Sequence, residues 1–402
     1  MLVLKSYEVF IPGAFPTYTY VSRNTPDTSY SYEFRLAQSL KTIGYLTSII
    51  GPSKTGKTVL CEKVIGQDKI VDLTGNDFKH SEDFWVTVAK KVGLSLESNH
   101  TERRGIEGEG TTGLIEKKST AITESFRSGK DKIIQYFNEN NLVLVLDDFH
   151  YAPGDMQLEM AYQLKDAIRK QFRTIVISLP HRADDAIRKN PDLSGRLNLI
   201  NIEPWQLDEL SEIATTGFQS LGMNIDLDYA KDIALESLAS PQLMQSICLN
   251  LAIQLDVDHN RENAQITSKI QLEEAYKMTT INLSYKDVVR KLKAGPNPRG
   301  QQRKTYKLVT GEDADIYELL IKAISLNPPE ISISIDDMKK RIDELISDGN
   351  DKPDKPKVKS AIEQVQSIMQ NSESIYQVFE YKDEKIHILE PHFLFYLRWG
   401  IH

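Results

Sequence analysis

Apolar and polar positions follow two different patterns along the chain, and the change falls near residue 203. Before it, five short apolar runs are separated by stretches with helical spacing, which predicts strands that alternate with helices. This alternation is typical of an α/β fold whose parallel sheet is covered by helices on both faces. The predicted strands are Tyr45–Ile50, Lys69–Leu73, Leu142–Leu146, Thr174–Ser178 and Leu197–Ile202.

After Pro204 the apolar spacing is helical, and no strand pattern returns until the last part of the chain. There, three helices (316–324, 336–346 and 358–369) precede a hairpin that turns at Asp383-Glu384, which is a winged-helix pattern. We therefore expect four segments: a core with an N-terminal extension at 1–203, a small helical domain at 204–256, a basic connector at 257–309 and a winged-helix domain at 310–402.

Composition narrows the class of protein. The net charge is −8, which disfavours a basic nucleic-acid footprint over the whole protein. Because no apolar run approaches 18 residues and the first residues lack a secretion signal, we expect no membrane span and a cytoplasmic protein. The two cysteines, Cys61 and Cys248, are expected to be buried thiols. The polar segment Glu97–Thr120 is expected to be a mobile surface insertion.

The first chemical motif follows the first predicted strand and opens a helix. It reads Gly51-Pro52-Ser53-Lys54-Thr55-Gly56-Lys57-Thr58, with Val59 next. This is a complete phosphate-binding loop, in which glycines let backbone amides approach phosphate oxygens at a helix N-terminus. Lys57 is expected to contact the β- and γ-phosphates of ATP, and Thr58 is expected to bind Mg²⁺ through its hydroxyl.

The second motif is a buried strand that ends in two acids, Asp147 and Asp148. Two carboxylates at a buried strand end are costly unless they act there, and ligands bind at the carboxyl ends of strands in α/β sheets. Asp147 is expected to bind Mg²⁺, and Asp148 is expected to polarise the attacking water as the catalytic base.

The order of phosphate loop, acid-ending strand, helical segment and winged helix resembles AAA+ ATPases. Within them it looks most like the branch that includes origin-recognition ATPases, transposition regulators and STAND signalling ATPases. The resemblance implies that residues 204–256 form a lid over the nucleotide. AAA+ proteins usually carry Asp-Glu where this chain has Asp147-Asp148, whereas STAND proteins often carry Asp-Asp, so the resemblance implies slow hydrolysis.

The resemblance also implies roles for single residues. Ser178, at the end of its strand, matches the polar residue that senses the γ-phosphate. Arg196 precedes the last core strand and looks like the arginine that reaches a neighbouring subunit's nucleotide, and Arg182 is a rival for that role. Pro241, in Ala239-Ser240-Pro241, resembles an element that packs on adenine, although an N-cap serine before a helical proline explains the pair equally well. His150 receives no role.

Candidate partner surfaces lie in the second half. Eight cations cluster in residues 286–307 and are able to contact nucleic acid, an acidic protein surface or solvent: Lys286, Arg290, Lys291, Lys293, Arg299, Arg303, Lys304 and Lys307. The exposed face of the third predicted helix in the winged-helix domain mixes basic, acidic and amide side chains. It has no arginine to recognise guanine. The aromatic stretch Phe393–Trp399 is expected to be core or a docking patch.

The resemblance leads to two hypotheses. The favoured one is a homo-oligomeric switch that binds and hydrolyses ATP and regulates a separately encoded effector in bacterial phage defence. The alternative is a DNA-binding AAA+ ATPase of the transposition-regulator or replication-loader type.

Overall fold

A computed structural model describes residues 4–26, 28–78, 83–94, 129–149, 152–179, 193, 195–261, 264–297, 300, 303–372 and 377–400. The chain forms two compact units. We call Ser22–Pro52 with Lys57–Glu203 the sheet unit, and Met1–Val21, Ser53–Gly56 and Pro204–His402 the helical unit. Within the described ranges no helix combines the length and apolar character that a membrane crossing requires. The predicted insertion Glu97–Thr120 lies outside these ranges.

The sheet unit is built on five parallel strands in the order β2-β3-β4-β1-β5. Each predicted strand is present, and its bounds differ from the prediction by at most one residue at either end. The three central strands are buried along nearly their whole length, whereas the two edge strands have exposed positions at Asp72, Leu199 and Asn201. The strands are β1 Leu46–Ile50, β2 Ile70–Thr74, β3 Val143–Asp147, β4 Thr174–Ser178 and β5 Leu197–Asn201.

Helices cover both faces of the sheet, as predicted. Alternate residues of a strand enter opposite layers, so Val143 and Val145 pack on one face and Leu144 and Leu146 on the other. The helices Tyr32–Lys41 and Lys57–Ile65 cover the first face. The second face is covered by Phe84–Lys91, the helical residues 129–139 and Gly154–Arg169.

In the first helix of this unit, Phe34, Leu36, Ala37, Leu40 and Ile43 have the spacing of one apolar face, which predicts that these side chains are buried. Ser31 caps this helix by accepting a hydrogen bond from the Phe34 amide. Phe34 was expected inside, yet its side chain is 50% exposed and stacks on Tyr30 at 4.7 Å between ring centroids. Ile43 was also expected inside, but the helix ends at Lys41 and leaves Ile43 66% exposed.

The helical unit contains one continuous hydrophobic cluster that runs from Val9 to Leu397. Residues predicted as lid, connector and winged helix all contribute to it, so the packing does not divide at 256/257 or 309/310. Its helices are Ser6–Val9, Leu207–Ser220, Leu227–Glu236, Pro241–Gln254, Val257–Asn260, Lys269–Thr280, Lys286–Ala294, Ile316–Ile324, Ile335–Leu345, Lys355–Gln370 and Pro391–Trp399.

The N-terminal residues are part of this cluster, although the predicted segments place them with the core at 1–203. Ser6–Val9 is a short helix, and Phe10 lies 5.0 Å from Phe218 between ring centroids. The Phe10 ring occupies the space in which a Cβ on residue 217 would lie, so only Gly217 fits there.

Near the C-terminus, three helices are accompanied by a small antiparallel sheet in the order β8-β10-β9. Its strands are β8 Ser332–Ser334, β9 Phe379–Lys382 and β10 Lys385–Ile388, and a separate two-stranded ribbon pairs β6 Tyr306–Lys307 with β7 Asp313–Ala314. The hairpin turns at Asp383-Glu384 as predicted, with φ of 52° and 59°. These values fit a two-residue turn whose twist matches that of the flanking strands.

A buried ion pair joins two distant helices of the helical unit. Arg398 donates from Nε and Nη2 to the two carboxylate oxygens of Glu236 at 2.9 and 2.6 Å. The Trp399 indole donates to the same carboxylate at 2.7 Å. The side chains of the pair are only 6% and 9% exposed, so removal of one partner leaves an uncompensated buried charge.

We therefore predict that Glu236→Ala lowers the free energy of unfolding by about 3 kcal/mol, measured by urea denaturation. The matched control is Glu312→Ala, which removes the exposed pair with Lys322 and is expected to cost less than about 1 kcal/mol. Equal losses in the two variants would contradict the role given to the buried pair.

Candidate nucleotide-binding site

The predicted phosphate loop begins where β1 ends, at the carboxyl edge of the sheet. The Gly51 amide donates to the Ser178 carbonyl at 3.3 Å, and the Ile202 amide donates to the Ile50 carbonyl at 2.6 Å. A Cβ on residue 51 would lie 2.8 Å from both the Cβ and the carbonyl oxygen of Ile202. Because that carbonyl is backbone and has little freedom to move, glycine is required at this position.

The loop reverses direction through two residues with positive φ, Lys54 at 62° and Gly56 at 86°. Pro52, Ser53 and Thr55 complete it, and the helix Lys57–Ile65 starts directly afterwards, with Val59 in its first turn. The first amides of a helix have no partner within the helix and carry partial positive charge. The loop and helix start together form a backbone site suited to phosphate.

The Lys57 ammonium is held within the loop. It donates to the carbonyls of Gly51 at 2.9 Å and Pro52 at 2.6 Å. The cation therefore lies over the same turn whose amides would bind phosphate. A lysine at this place adds a full charge to the partial charges of the amides.

Two residues from different motifs meet beside the loop. The Thr58 hydroxyl donates to Asp147 Oδ2 at 2.7 Å, and the Asp148 amide donates to Asp147 Oδ1 at 2.8 Å. A hydroxyl and a carboxylate are oxygen ligands of the kind that Mg²⁺ prefers. This pair fits the predicted Mg²⁺ ligands, and Mg²⁺ would neutralise charge on the phosphates when bound.

The charge of Asp147 also affects its surroundings. Burial, followed by the negative charges of Asp147 and Glu62, raises the pKa of the Cys61 thiol. Both effects favour the neutral thiol of Cys61 over the thiolate.

Asp148 has an uncommon backbone conformation, with a φ of 48°, and its side chain is exposed. Aspartate tolerates this left-handed region better than most residues, but the conformation still costs free energy relative to ordinary backbone. Such conformations concentrate at functional sites, where the surrounding structure maintains them.

Ser178 is buried at the carboxyl end of β4, next to the start of the loop. Its side chain is 2% exposed, and its Oγ has no hydrogen-bond partner among the described residues. A buried hydroxyl without a partner is unfavourable, so each such group needs an explanation. A polar ligand on the adjacent loop would provide a partner.

Arg196 lies at the opposite edge of the sheet from the loop. It directly precedes β5, which runs parallel to β1 with Leu197 opposite Leu46, and its carbonyl accepts from the Leu46 amide at 2.9 Å. Five strand residues span about 16 Å, so Arg196 does not reach the phosphate loop of its own chain. The rival Arg182 and the unassigned His150 lie outside the described residues.

Pro241 is the first residue of the helix Pro241–Gln254 in the helical unit, and the Ser240 hydroxyl accepts from the Leu243 amide at 3.2 Å. Helix capping therefore accounts for the Ser-Pro pair locally. Ala239 has a φ of 56°, a conformation that a glycine would adopt without strain. The contact of Pro241 with adenine stays a prediction.

The loop apex Ser53–Gly56 belongs to the helical unit. Two residues near it, Trp205 and Glu390, were not predicted from the sequence. The Trp205 indole donates to the Thr55 carbonyl at 3.0 Å. Burial acts to raise the pKa of Glu390, but the hydrogen bond and charge of His392 and the charge of Lys54 bring it below its ordinary value. Neither contact has a sequence signal, since each joins residues more than 100 positions apart.

The basic segment 286–307 is partly used in internal contacts. Arg303 pairs with Asp315 at 2.7 Å, and Lys304 pairs with Asp351 at 2.7 Å. In the third helix of the C-terminal part, Lys359 pairs with Glu384 at 2.9 Å. These carboxylates compete with phosphate for the same cations and reduce the positive charge available to nucleic acid.

Comparison with known proteins agrees with the site geometry. Residues 43–186 match the protein-family model for the AAA domain. That range is just over a third of the chain and contains the phosphate loop and the Asp147-Asp148 strand end. It supports an AAA-type ATPase domain in this part of the molecule. No curated protein matches the chain.

Several solved structures align with most of the chain at low sequence identity. A Walker-type ATPase of Pyrococcus abyssi is 13% identical with a TM-score of 0.46, over 91% of this chain and 94% of that one. Cdc6p of Pyrobaculum aerophilum is 12% identical with a TM-score of 0.39, over 93% and 96%. The Thermotoga maritima RuvB Holliday junction branch migration motor is 13% identical with a TM-score of 0.36, over 86% and 84%.

Because Ile202 lies close to Gly51, a methyl group added at position 51 is expected to destabilise the protein. Gly51→Ala is expected to lower the free energy of unfolding by about 1–3 kcal/mol and to distort the loop. Gly154→Ala is the control, because a Cβ there meets nothing within 4 Å at the start of a helix. The control should be neutral or more stable by up to about 1 kcal/mol. Equal stabilities in thermal unfolding would contradict the steric argument.

Proposed function

We propose that this chain, which carries an AAA-type domain, is a Mg²⁺-dependent switch ATPase that binds ATP, hydrolyses it slowly and assembles with further copies of itself. The observation that supports this proposal best is the 2.7 Å hydrogen bond between Thr58 and Asp147. It brings the phosphate loop and the acid-ending strand to one place, as ATP and Mg²⁺ binding require.

Each residue of the site has a role that depends on its position. Gly51–Thr58 bind the phosphates through amides and Lys57, with Val59 in the first helical turn, while Thr58 and Asp147 hold Mg²⁺. Asp148 orients and polarises the attacking water. Its short carboxylate has less reach than a glutamate would have, which is consistent with slow turnover. Ser178 donates its hydroxyl to the γ-phosphate, and the lack of a partner for Oγ among the described residues supports this role.

Arg196 is the residue that we propose links turnover to assembly. Since it lies at the sheet edge opposite its own loop, it serves a neighbouring subunit's nucleotide or none. A neighbour's arginine neutralises charge that develops during hydrolysis and links turnover to assembly. Such a head-to-tail contact forms a ring or an open filament.

We infer that the remaining parts transmit the nucleotide state. Residues 204–256 act as the lid, with Pro241 against adenine, and residues 310–402 act as a winged helix that contacts a separately encoded effector. By resemblance, the setting is bacterial phage defence in the cytoplasm. The buried thiols Cys61 and Cys248 suit a reducing compartment.

The alternative is a DNA-binding ATPase of the transposition-regulator or replication-loader type. The exposed Lys286 and Lys307, which have no carboxylate partner among the described residues, favour it. The internal pairs of Arg303, Lys304 and Lys359 disfavour it. Light scattering with an ATP analogue, with and without duplex DNA, separates the two, because assembly driven by DNA alone contradicts the switch proposal.

The site assignment predicts a separation between binding and hydrolysis. Lys57→Ala should weaken ATP binding in calorimetry by roughly 100-fold, because a charge-assisted contact is lost. Asp148→Ala should retain ATP and lose at least about 100-fold in turnover. Asp68→Ala, an exposed acid elsewhere in the sheet unit, should change neither quantity. Undiminished turnover in Asp148→Ala would remove that residue from the mechanism.

The role of Arg196 in a neighbouring subunit predicts complementation. Arg196→Ala and Lys57→Ala chains should each be inactive alone, since one lacks the arginine and the other lacks bound nucleotide. An equimolar mixture should recover about a quarter of wild-type turnover, because an Arg196→Ala site beside a Lys57→Ala subunit is complete. A mixture that stays inactive while both variants still assemble would exclude this role.

A further inference from the structure

The backbone at the apex of the phosphate loop is contacted by a side chain from a distant part of the sequence. The Trp205 indole donates to the Thr55 carbonyl at 3.0 Å. That carbonyl belongs to the trans peptide group between Thr55 and Gly56, in which the C=O and N–H point in opposite directions. The Gly56 amide therefore points away from Trp205, and it has no hydrogen-bond acceptor among the described residues.

Gly56 gives this peptide group conformational freedom. It has a φ of 86°, and a Cβ there would meet nothing within 4 Å, so backbone conformation and not lack of space favours glycine. Ordering such a flexible position when phosphate binds costs conformational entropy. A donor fixed on the Thr55 carbonyl restricts the peptide group before phosphate arrives, and this pre-organisation strengthens binding.

Trp205 is itself fixed by its surroundings in the helical unit. Its side chain is partly buried and packs against the hydrophobic cluster of that unit. The next residue, Gln206, caps the helix Leu207–Ser220, and its amide donates to Glu209 at 2.9 Å. The position of the indole is therefore set by packing and helix capping rather than by the loop that it contacts.

The chain just before the tryptophan contacts the other end of the loop. A Cβ on Gly51 would lie 2.8 Å from the Cβ of Ile202. The next residue, Glu203, forms two backbone hydrogen bonds within the sheet unit. Its amide donates to the Tyr32 hydroxyl at 3.1 Å, and its carbonyl accepts from Arg23 Nη2 at 3.0 Å. One short segment therefore contacts the first glycine of the motif and the peptide group that precedes the second.

We propose that Trp205 is a positioning residue for the phosphates of ATP, because its indole N–H holds the Thr55 carbonyl so that the Gly56 amide donates to a phosphate oxygen. This inference rests on the proposed function and adds to it a residue outside the motif. The contact acts on phosphate and not on the base. It serves bound ATP and the transition state alike, so its loss weakens binding without slowing hydrolysis of bound ATP.

Calorimetry on the full chain tests the proposal with two probes, ATP and inorganic tripolyphosphate, each with Mg²⁺. Trp205→Phe keeps an aromatic ring for packing and removes the donor. The affinity for both probes should fall by the same factor, roughly 3- to 10-fold, which is the effect of losing one hydrogen bond. The matched control is Trp399→Phe, which removes the indole donor 2.7 Å from Glu236 in the helical unit and should leave both affinities unchanged.

Turnover kinetics separate positioning from general damage to the fold. In Trp205→Phe the KM for ATP should rise by the factor seen in calorimetry, while kcat should change by less than about 2-fold. A partly unfolded preparation would instead lower kcat and leave KM unchanged. A loss of affinity confined to ATP would show that the indole ring contacts the base, and it would overturn the proposal.

The same measurements distinguish this inference from the proposed function. If the wild-type chain binds neither probe, both fail. If the wild-type chain binds the probes and Lys57→Ala weakens them, but Trp205→Phe and Trp399→Phe have equal affinities, only the role of Trp205 is excluded.

Discussion

The hydrogen bond between Thr58 and Asp147 is the contact on which the nucleotide site depends. Thr58 belongs to the first turn of a helix, and Asp147 ends a strand 89 residues later in the sequence. They meet because β1 and β3 run parallel with only β4 between them, so both strands end at the same edge. A sheet with either strand reversed would leave the loop without a carboxylate for Mg²⁺.

The nucleotide site requires unfavourable local geometry at two residues. Gly51 is required because Ile202 passes within van der Waals distance of the loop, and Asp148 is held in a left-handed conformation immediately after the strand. Unfavourable local geometry of this kind persists only where the surrounding packing maintains it. β4 and β5 flank β1, which leads into Gly51, and β2 and β4 flank β3, which leads into Asp148.

Features with a local physical cause were predictable from the sequence. Continuous apolar runs identify buried strands, glycines and lysine at fixed spacing identify the loop, and acids at the end of a strand identify the second motif. Features that depend on distant packing were not predictable. Phe10 packs in a core whose other members lie about 200 residues later in the chain, against Gly217. The Trp205 indole donates to the Thr55 carbonyl across 150 positions.

The helical unit sets a condition on how a nucleotide signal would travel. The predicted lid helix that ends at Glu236 and the last helix, which holds Arg398 and Trp399, share a buried charge network. Separating them would break the buried ion pair of Arg398 with Glu236, and described residues of both helices belong to one hydrophobic cluster. A lid that moves independently of the C-terminal helices is therefore disfavoured. We therefore expect Leu227–Glu236 and Pro391–Trp399 to move together, because the Arg398–Glu236 pair and the Trp399 hydrogen bond join them.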